Sequence, residues 1–316
     1  MIKVSAPCKV HLLGEWAVVW GKPALLTTVD LRIIASISSS SHPEQHALPS
    51  GVDSGSIQIK KIIEPIVKKE LKLKKIPAYH LELTSQIPMG AHLGSSAAVS
   101  VVSIAALLSH LKVKWDLDLV NKLAYEAEKV FHGNPSGADN STITYGGLVW
   151  YRKETPDLKI IHSLPFSIPA RLTKNFMVIN TGTPTQNTKQ MITKITSLFE
   201  KKPKLKEQFL TLQEQLVREL LPAIKNADEK EVIRIIREGE ANLELIGVCS
   251  PEVKKIIRQI EAAGGAAKIC GAGSDSGPTG VLLTFHPNPT KILSLAKSEN
   301  LDYFKTNLGV EGLRLE

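Results

Sequence analysis

Residues 88–98 read Pro88-Met89-Gly90-Ala91-His92-Leu93-Gly94-Ser95-Ser96-Ala97-Ala98, and no other stretch restricts the fold as much. A glycine-bearing loop runs straight into a helix of small, apolar residues. Gly90 and Gly94 permit positive φ and a close backbone approach to a ligand. Ser95 and Ser96 fall where a helix start uses hydroxyls and leaves amides free. The unpaired N–H groups and the positive end of the macrodipole then face the loop, and a phosphate is the natural occupant. No lysine follows the second glycine, so this is not the G-x-x-x-x-G-K-[ST] loop. Its cationic help has to come from elsewhere in the chain.

The helix that follows, from about Ser95 to Leu111, is apolar nearly all round, which makes it central and buried. The chain has 316 residues, room for roughly two domains. With 43% hydrophobic and 22% charged residues it suits a soluble globular protein. The net charge of +8 sits largely in short runs such as Lys60-Lys61, Lys68-Lys69 and the stretch from Lys201 to Lys206. These read as solvated surface, or as attraction for an anionic ligand such as ATP. Aromatics are only 5% and do not interleave with the basic runs, which argues against nucleic acid as a partner. Cys8, Cys249 and Cys270 are few and widely spaced, so neither a disulfide framework nor a zinc site is supported. A reducing, cytoplasmic setting is expected. Met1 to Ser5 reads as the start of a strand without a signal-peptide core. No run approaches the ~18 apolar residues of a membrane span.

Periodicity and turn residues lay out the rest. Ile2 to Ser39 reads as strand, turn, strand, strand, with Gly21-Lys22-Pro23 between two apolar runs. Ser38 to Ser56 reads as a loop. Ile57 to Leu73 has helical spacing, and Tyr79 to Thr84 is a short alternating strand. Asp116 to His132 is an amphipathic helix stopped by Gly133, with an apolar stripe of Val120, Leu123, Ala124, Ala127 and Phe131. Glu128 lies at the edge of that stripe, where an acid needs a partner or a task. Ser141 to Tyr151 reads as strand pieces around Gly146-Gly147. A boundary near Pro165 to Thr173 is expected to divide the chain into domains 1–170 and 171–316. Beyond it, Phe176 to Asn180, Ala267 to Cys270 and Val281 to Phe285 read as strands. Thr188 to Phe199, Lys206 to Lys225, Glu229 to Ile246, Pro251 to Ala263 and Thr290 to Ser298 read as helices.

Three further segments carry chemistry. Lys9, in Ala6-Pro7-Cys8-Lys9-Val10-His11-Leu12-Leu13-Gly14-Glu15, interrupts an apolar strand. It reads as an edge lysine or, placed beside a phosphate and a carboxylate, as the cation that offsets charge in phosphoryl transfer. Glu128 and Asp139 lie on either side of the turn His132-Gly133-Asn134-Pro135-Ser136-Gly137-Ala138. If they converge, one holds Mg²⁺, which needs only one or two protein carboxylates beside a nucleotide. The other takes a proton from an attacking hydroxyl. The same residues also suit an ordinary turn held by Asp and Asn side chains. His132 reads as a helix-terminus residue, because no second histidine lies at ligand spacing. Lys268-Ile269-Cys270-Gly271-Ala272-Gly273-Ser274-Asp275-Ser276-Gly277 is a strand entering a Gly-rich turn able to line a ligand.

Together these segments resemble the GHMP kinase superfamily, in particular its branch that phosphorylates mevalonate. The likeness lies in residues 6–22, in Pro88 to Ala98, and most specifically in His132 to Asn140. Asn180-Thr181-Gly182 and Asn242 to Gly247 extend it into the second half. The resemblance implies a two-domain α+β fold. Its parts are an N-terminal, ribosomal-protein-S5-like nucleotide domain and a C-terminal ferredoxin-like domain with added helices. It implies ATP as co-substrate, Mg²⁺ as cofactor, mevalonate as acceptor, and compatibility with a homodimer. Asp139 matches the catalytic aspartate and Lys9 its partner lysine. Ser96 and Glu128 match the magnesium ligands. Pro88, Gly90, Ala91, His92, Leu93, Gly94, Ser95 and Ser96 match the phosphate loop. Glu15, Trp16, His132, Gly271 and Ala272 fall on the substrate side. Several positions depart from the family pattern: Trp16 stands where a histidine is common, and Cys8 and His92 stand where glycine is common. Ser274-Asp275-Ser276 interrupts an all-glycine run. Trp16 keeps another small-molecule kinase of the superfamily (a phosphomevalonate or sugar kinase) open as the alternative. A non-catalytic nucleotide-binding sensor is the alternative outside enzymes.

Overall fold

The computed structural model describes residues 1–39, 54–86, 93–133, 135–155 and 158–316. Two antiparallel sheets organise them. The first sheet contains β1 (Ile2–Leu13), β2 (Ala24–Ser39), β3 (Tyr79–Ser85), β4 (Leu148–Lys153) and β5 (Lys159–Ser163). The second contains β6 (Phe176–Asn180), β7 (Ala266–Ile269), β8 (Val281–Phe285) and β9 (Asp302–Lys305). A last short strand, β10 (Arg314–Leu315), returns to pair with β1, so the order of the first sheet is β10-β1-β2-β4-β5. β2 is long enough to pair with β4 at one end and with β3 at the other.

Helices cover both sheets. They are α1 (Ser54–Leu71), α2 (Ser95–His110), α3 (Leu117–His132), α4 (Ala138–Tyr145), α5 (Ala170–Thr173), α6 (Thr188–Lys201), α7 (Pro203–Lys225), α8 (Glu229–Leu245), α9 (Pro251–Ala262) and α10 (Pro289–Ser298). The second sheet runs β7-β8-β6-β9. Its chain order is strand, helices, strand, strand, helix, strand, which is the ferredoxin-like arrangement. Four helices, α6 to α9, lie between β6 and β7 where the pattern needs one, so three are additions. The fold is therefore α+β, as the resemblance implied.

The main core forms where α2 lies on the first sheet. Val101, Val102, Ala105 and Leu108 of α2 are buried with Cys8, Val10 and Leu12 of β1. Small residues on α2 let its backbone sit close to the strands. β1 carries register irregularities between Pro7 and Cys8 and between His11 and Leu13. A central strand tolerates proline at such a point, and bulges re-aim side chains. The C-terminal tail is held against the first sheet by Arg32, whose guanidinium donates to the Glu311 and Gly312 carbonyls at 3.0 and 2.8 Å.

Four expectations change. Val18 and Val19 lie in a 3₁₀ turn (Ala17–Trp20), not a strand, and β2 is one strand of 16 residues. Residues 141–145 are helical: α4 begins after Gly137, which takes φ 90°. Ser141 and Thr142 return their hydroxyls to the Gly137 and Ala138 carbonyls at 2.7 and 2.8 Å. That back-bonding satisfies the two hydroxyls inside a helix that their propensity does not favour. The cap of α2 is Gly94, in the left-handed conformation, and no side chain caps it. The Ser95 and Ser96 hydroxyls are thus released from capping. Finally, β5 falls where no strand is expected; it is short and largely exposed, without a clean apolar alternation. The expected loop over Ser38 to Ser56 lies largely outside the described residues.

Gly14 ends β1 at φ +100°, and a Cβ there would stand 2.5 Å from the Ala24 Cα. Gly14→Ala is expected to destabilise the protein by at least about 2 kcal/mol, since the left-handed strain alone costs about 1–3 kcal/mol. Urea unfolding checks this, and a variant as stable as wild type contradicts the packing described.

Candidate active site

β1, the start of α2, the end of α3 and the start of α4 converge near the end of the glycine loop. Lys9 is fixed first. Its backbone N–H donates to the Leu93 carbonyl at 3.1 Å, which ties the loop's end to β1. Its stem passes Gly94 so closely that a Cβ at 94 would lie 3.1 Å from the Lys9 Cε. The Lys9 Nζ then stands 2.8 Å from Asp139 Oδ1, with the lysine buried and Asp139 36% exposed. Lys9 is therefore not an edge lysine. The carboxylate that answers it sits in the first turn of α4, with one side open to solvent.

Glu128 and His132 are one turn apart on α3 and face Ser96. Ser96 Oγ lies 3.4 Å from Glu128 Oε2 and 3.2 Å from His132 Nε2. Glu128 is buried, and its Oε1 has no partner among the described residues. Burial, and then the charge of Asp139, push its carboxyl up to about 8. A buried carboxylate with a bare oxygen, a neighbouring hydroxyl and a second carboxylate nearby is short of a cation. Hard oxygen donors of this kind suit Mg²⁺. Ser96 and Glu128 fit that ion. His132, whose ring burial pulls its pKa down, sits beside this pair.

A second buried ion pair crosses between the sheets. Lys268 on β7 is fully buried and donates to the Glu15 carboxylate, to the His11 carbonyl at 3.2 Å and to the Ile269 carbonyl at 2.8 Å. Burial disfavours the ammonium, but Glu15, Cys270 and Glu240 beside it together raise the Lys268 pKa above its ordinary value. Gly271 and Ala272 follow directly after β7 and Cys270. Trp16, at φ 63°, is buried with Met177, Ile179 and Leu243 of the second half. Its ring stacks on Trp20 at 6.3 Å, and its Nε1 has no partner among the described residues.

Of the residues singled out from sequence, the structure brings Lys9, Asp139, Leu93, Gly94, Ser96, Glu128 and His132 together. Ser95 sits at the same helix start, its hydroxyl buried and unpartnered among the described residues. Pro88, Gly90, Ala91 and His92 lie outside the described residues. Glu15, Trp16, Gly271 and Ala272 gather at the junction between the sheets. Two residues were missed as candidates. His11 was flagged only by lying two positions from Lys9 on one strand face, and Lys268 only by being a lysine in an apolar strand. Glu240, Glu244 and Cys249 also lie within ligand distance of one another. Glu244 is held by Arg258 at 2.7 Å, and Glu240 Oε2 accepts from the Ile269 amide at 2.9 Å.

Comparison with known proteins identifies the family. Residues 58–147 match the model of the GHMP kinases N terminal domain, and residues 220–296 match that of the GHMP kinases C terminal. The chain belongs to the GHMP kinase family. It is 31% identical to the mevalonate kinase of Archaeoglobus fulgidus, over 85% of this chain and 88% of that one. It is 28% identical to the mevalonate kinase of Pyrococcus horikoshii, over 100% and 98%. The crystal structure of L. major mevalonate kinase in complex with R-mevalonate superposes with a TM-score of 0.77 at 19% identity, covering 94% of this chain and 91% of that one. That last likeness is one of fold.

The Glu128 carboxyl gives a pH test. In the unfolded chain it titrates near 4.5, and in the folded protein near 8. The fold therefore holds its proton more tightly, and that stabilisation is complete below about pH 4.5 and lost as pH rises toward about 8. Glu128→Gln is expected to gain stability relative to wild type progressively over that interval, in metal-free buffer. Parallel stability curves for the two proteins would contradict the buried, raised carboxyl.

Proposed function

We propose that the protein transfers the γ-phosphoryl group of ATP to the 5-hydroxyl of mevalonate, giving 5-phosphomevalonate for isoprenoid synthesis. The observation that carries this reading is the Lys9–Asp139 pair, 2.8 Å apart at the end of the glycine loop, in a chain whose relatives are mevalonate kinases.

The chemistry follows from the residues. Phosphoryl transfer through a loose transition state needs positioning and charge compensation more than a strong base. Asp139 accepts the hydroxyl proton late, as the alcohol acidifies during transfer. Lys9 keeps Asp139 oriented and offsets charge on the moving group. The free amides at the start of α2, with Leu93 to Ser96 and the preceding Pro88, Gly90, Ala91 and His92, receive the ATP phosphates. Mg²⁺ held by Ser96 and Glu128 would neutralise phosphate charge. Glu15, Trp16, His132, Gly271 and Ala272 line the acceptor side. The reading divides the chain into an ATP-binding domain, 1–170, and a C-terminal domain, 171–316, whose tail returns to the first sheet. Among the described residues no helix is long and apolar enough to cross a membrane. A cytoplasmic setting and small-molecule partners accompany the reading.

Trp16 favours the second reading, a different small acceptor within the family. A coupled ADP-release assay across mevalonate, phosphomevalonate, homoserine and galactose separates the two. Mevalonate is expected to give the highest kcat/KM, and background release with mevalonate beside release with another acceptor would reassign the substrate. Acceptor-dependent ADP release also excludes a silent sensor. Asp139→Asn is expected to lower kcat by roughly 10²–10⁴-fold, the span of a general base, while ATP still binds by calorimetry. Near-normal turnover would remove Asp139 from the mechanism.

A further inference from the structure

A strand presents its residues alternately to two sides. Cys8, Val10 and Leu12 of β1 enter the core under α2. Lys9 and His11 therefore share the opposite side, and both are buried there. Lys9 Nζ stands 2.8 Å from Asp139 Oδ1 and 3.1 Å from His11 Nδ1. An ammonium has three N–H donors and no acceptor. Two of them are committed to these partners. Once two N–H directions of a tetrahedral ammonium are fixed, the third is fixed as well. With the stem confined, the contact to Asp139 sets the ammonium's rotation about its last bond, and the His11 acceptor holds that setting.

We propose that His11 is a positioning residue for phosphoryl transfer: its bare Nδ1 accepts one Lys9 N–H and so aims the remaining one at the transferring group. This rests on the kinase reading above and adds to it a residue from outside the glycine loop and the acidic turn. For Nδ1 to accept, the ring must be neutral with its proton on Nε2. Burial, and the ammonium groups of Lys9 and Lys268 on either side, keep it uncharged. Two features of the backbone support the same aim. The Lys9 stem is confined by the close approach of Gly94. The His11 carbonyl is itself held by Lys268 at 3.2 Å, just before the strand's register irregularity.

Three full-length variants separate aiming from packing. Asparagine puts its amide oxygen near the place of Nδ1, glutamine reaches instead to the place of Nε2, and leucine fills the volume without an acceptor. With ATP and mevalonate, His11→Leu and His11→Gln are expected to lose about 10- to 100-fold in kcat, the cost of a misplaced catalytic group. KM for both substrates should stay within about threefold of wild type, because ground-state binding is untouched. His11→Asn is expected to recover to within about fivefold of wild type, since it restores the acceptor. Equal losses in the Asn and Gln variants, or full kcat in the Leu variant, overturn the proposal. The Asn–Gln comparison holds even where the Leu variant fails to fold. A wild-type protein inactive on mevalonate refutes the substrate reading instead. His11 is then read without turnover, by long-range ¹H–¹⁵N NMR. A bare Nδ1 that shifts on Lys9→Met is expected, and a protonated Nδ1 contradicts the proposal.

Discussion

Two ammonium groups, Lys9 and Lys268, are buried near the junction of the two sheets, and neither is stable there alone. An unpaired buried charge costs several kcal/mol, and removing one partner of a buried pair costs about 3–5 kcal/mol. Each is answered by a carboxylate from elsewhere in the chain: Lys9 by Asp139 on α4, Lys268 by Glu15 just past β1. The two pairs meet at His11, whose ring takes Lys9 and whose carbonyl takes Lys268. The need to pair these charges links β1, α4 and β7. It therefore registers the second sheet against the first and brings the acidic turn to the glycine loop. The same pairing gives the loop the cation that its own sequence lacks.

Separate contacts occupy two of the positions that depart from the family pattern. Asp275 does not add a free carboxylate to the site. It pairs with Lys194 on α6 at 2.5 Å, and its amide donates to Gln186 at 3.1 Å. Thr185 shares a hydrogen bond with the Ser274 hydroxyl at 3.0 Å and donates to the Ser276 carbonyl at 3.0 Å. The Ser-Asp-Ser segment thus moors the second glycine-rich turn to α6. Lys194 and Asp275 are both well exposed, so the pair contributes little stability, about 0–1 kcal/mol. Trp16 likewise joins an aromatic row with Trp20 and Phe199. Its bulk belongs to the core of the second half as much as to the substrate side.

Most helices could be read from the sequence because their stripes are regular and their ends are marked. Asp116 caps α3 through the Leu119 amide, Ser250 caps α9, and Gly133 stops α3. The candidate site was readable where loop chemistry is written in consecutive residues, as in Leu93 to Ser96 and at Asp139. It was not readable where the signal is a contact across the fold. Lys268 and Glu15 are separated by most of the chain, and no local pattern couples them. His11 looked like one more residue in an apolar strand, because only its neighbour's ammonium gives it a task. The helix α4 was hidden for a different reason. Its Ser and Thr residues favour strand or turn until their hydroxyls find the carbonyls four positions back.

Phosphoryl transfer to one particular oxygen, at a site built from Lys9 and Asp139, is the central proposal. Phosphorus NMR of the products formed from ATP and mevalonate observes that bond directly. The expected spectrum shows a phosphomonoester coupled to the C5 methylene protons, formed in step with ADP and roughly 10²–10⁴-fold more slowly by the Asp139→Asn protein. ADP accompanied only by inorganic phosphate, or a phosphoester on any other oxygen, would contradict it.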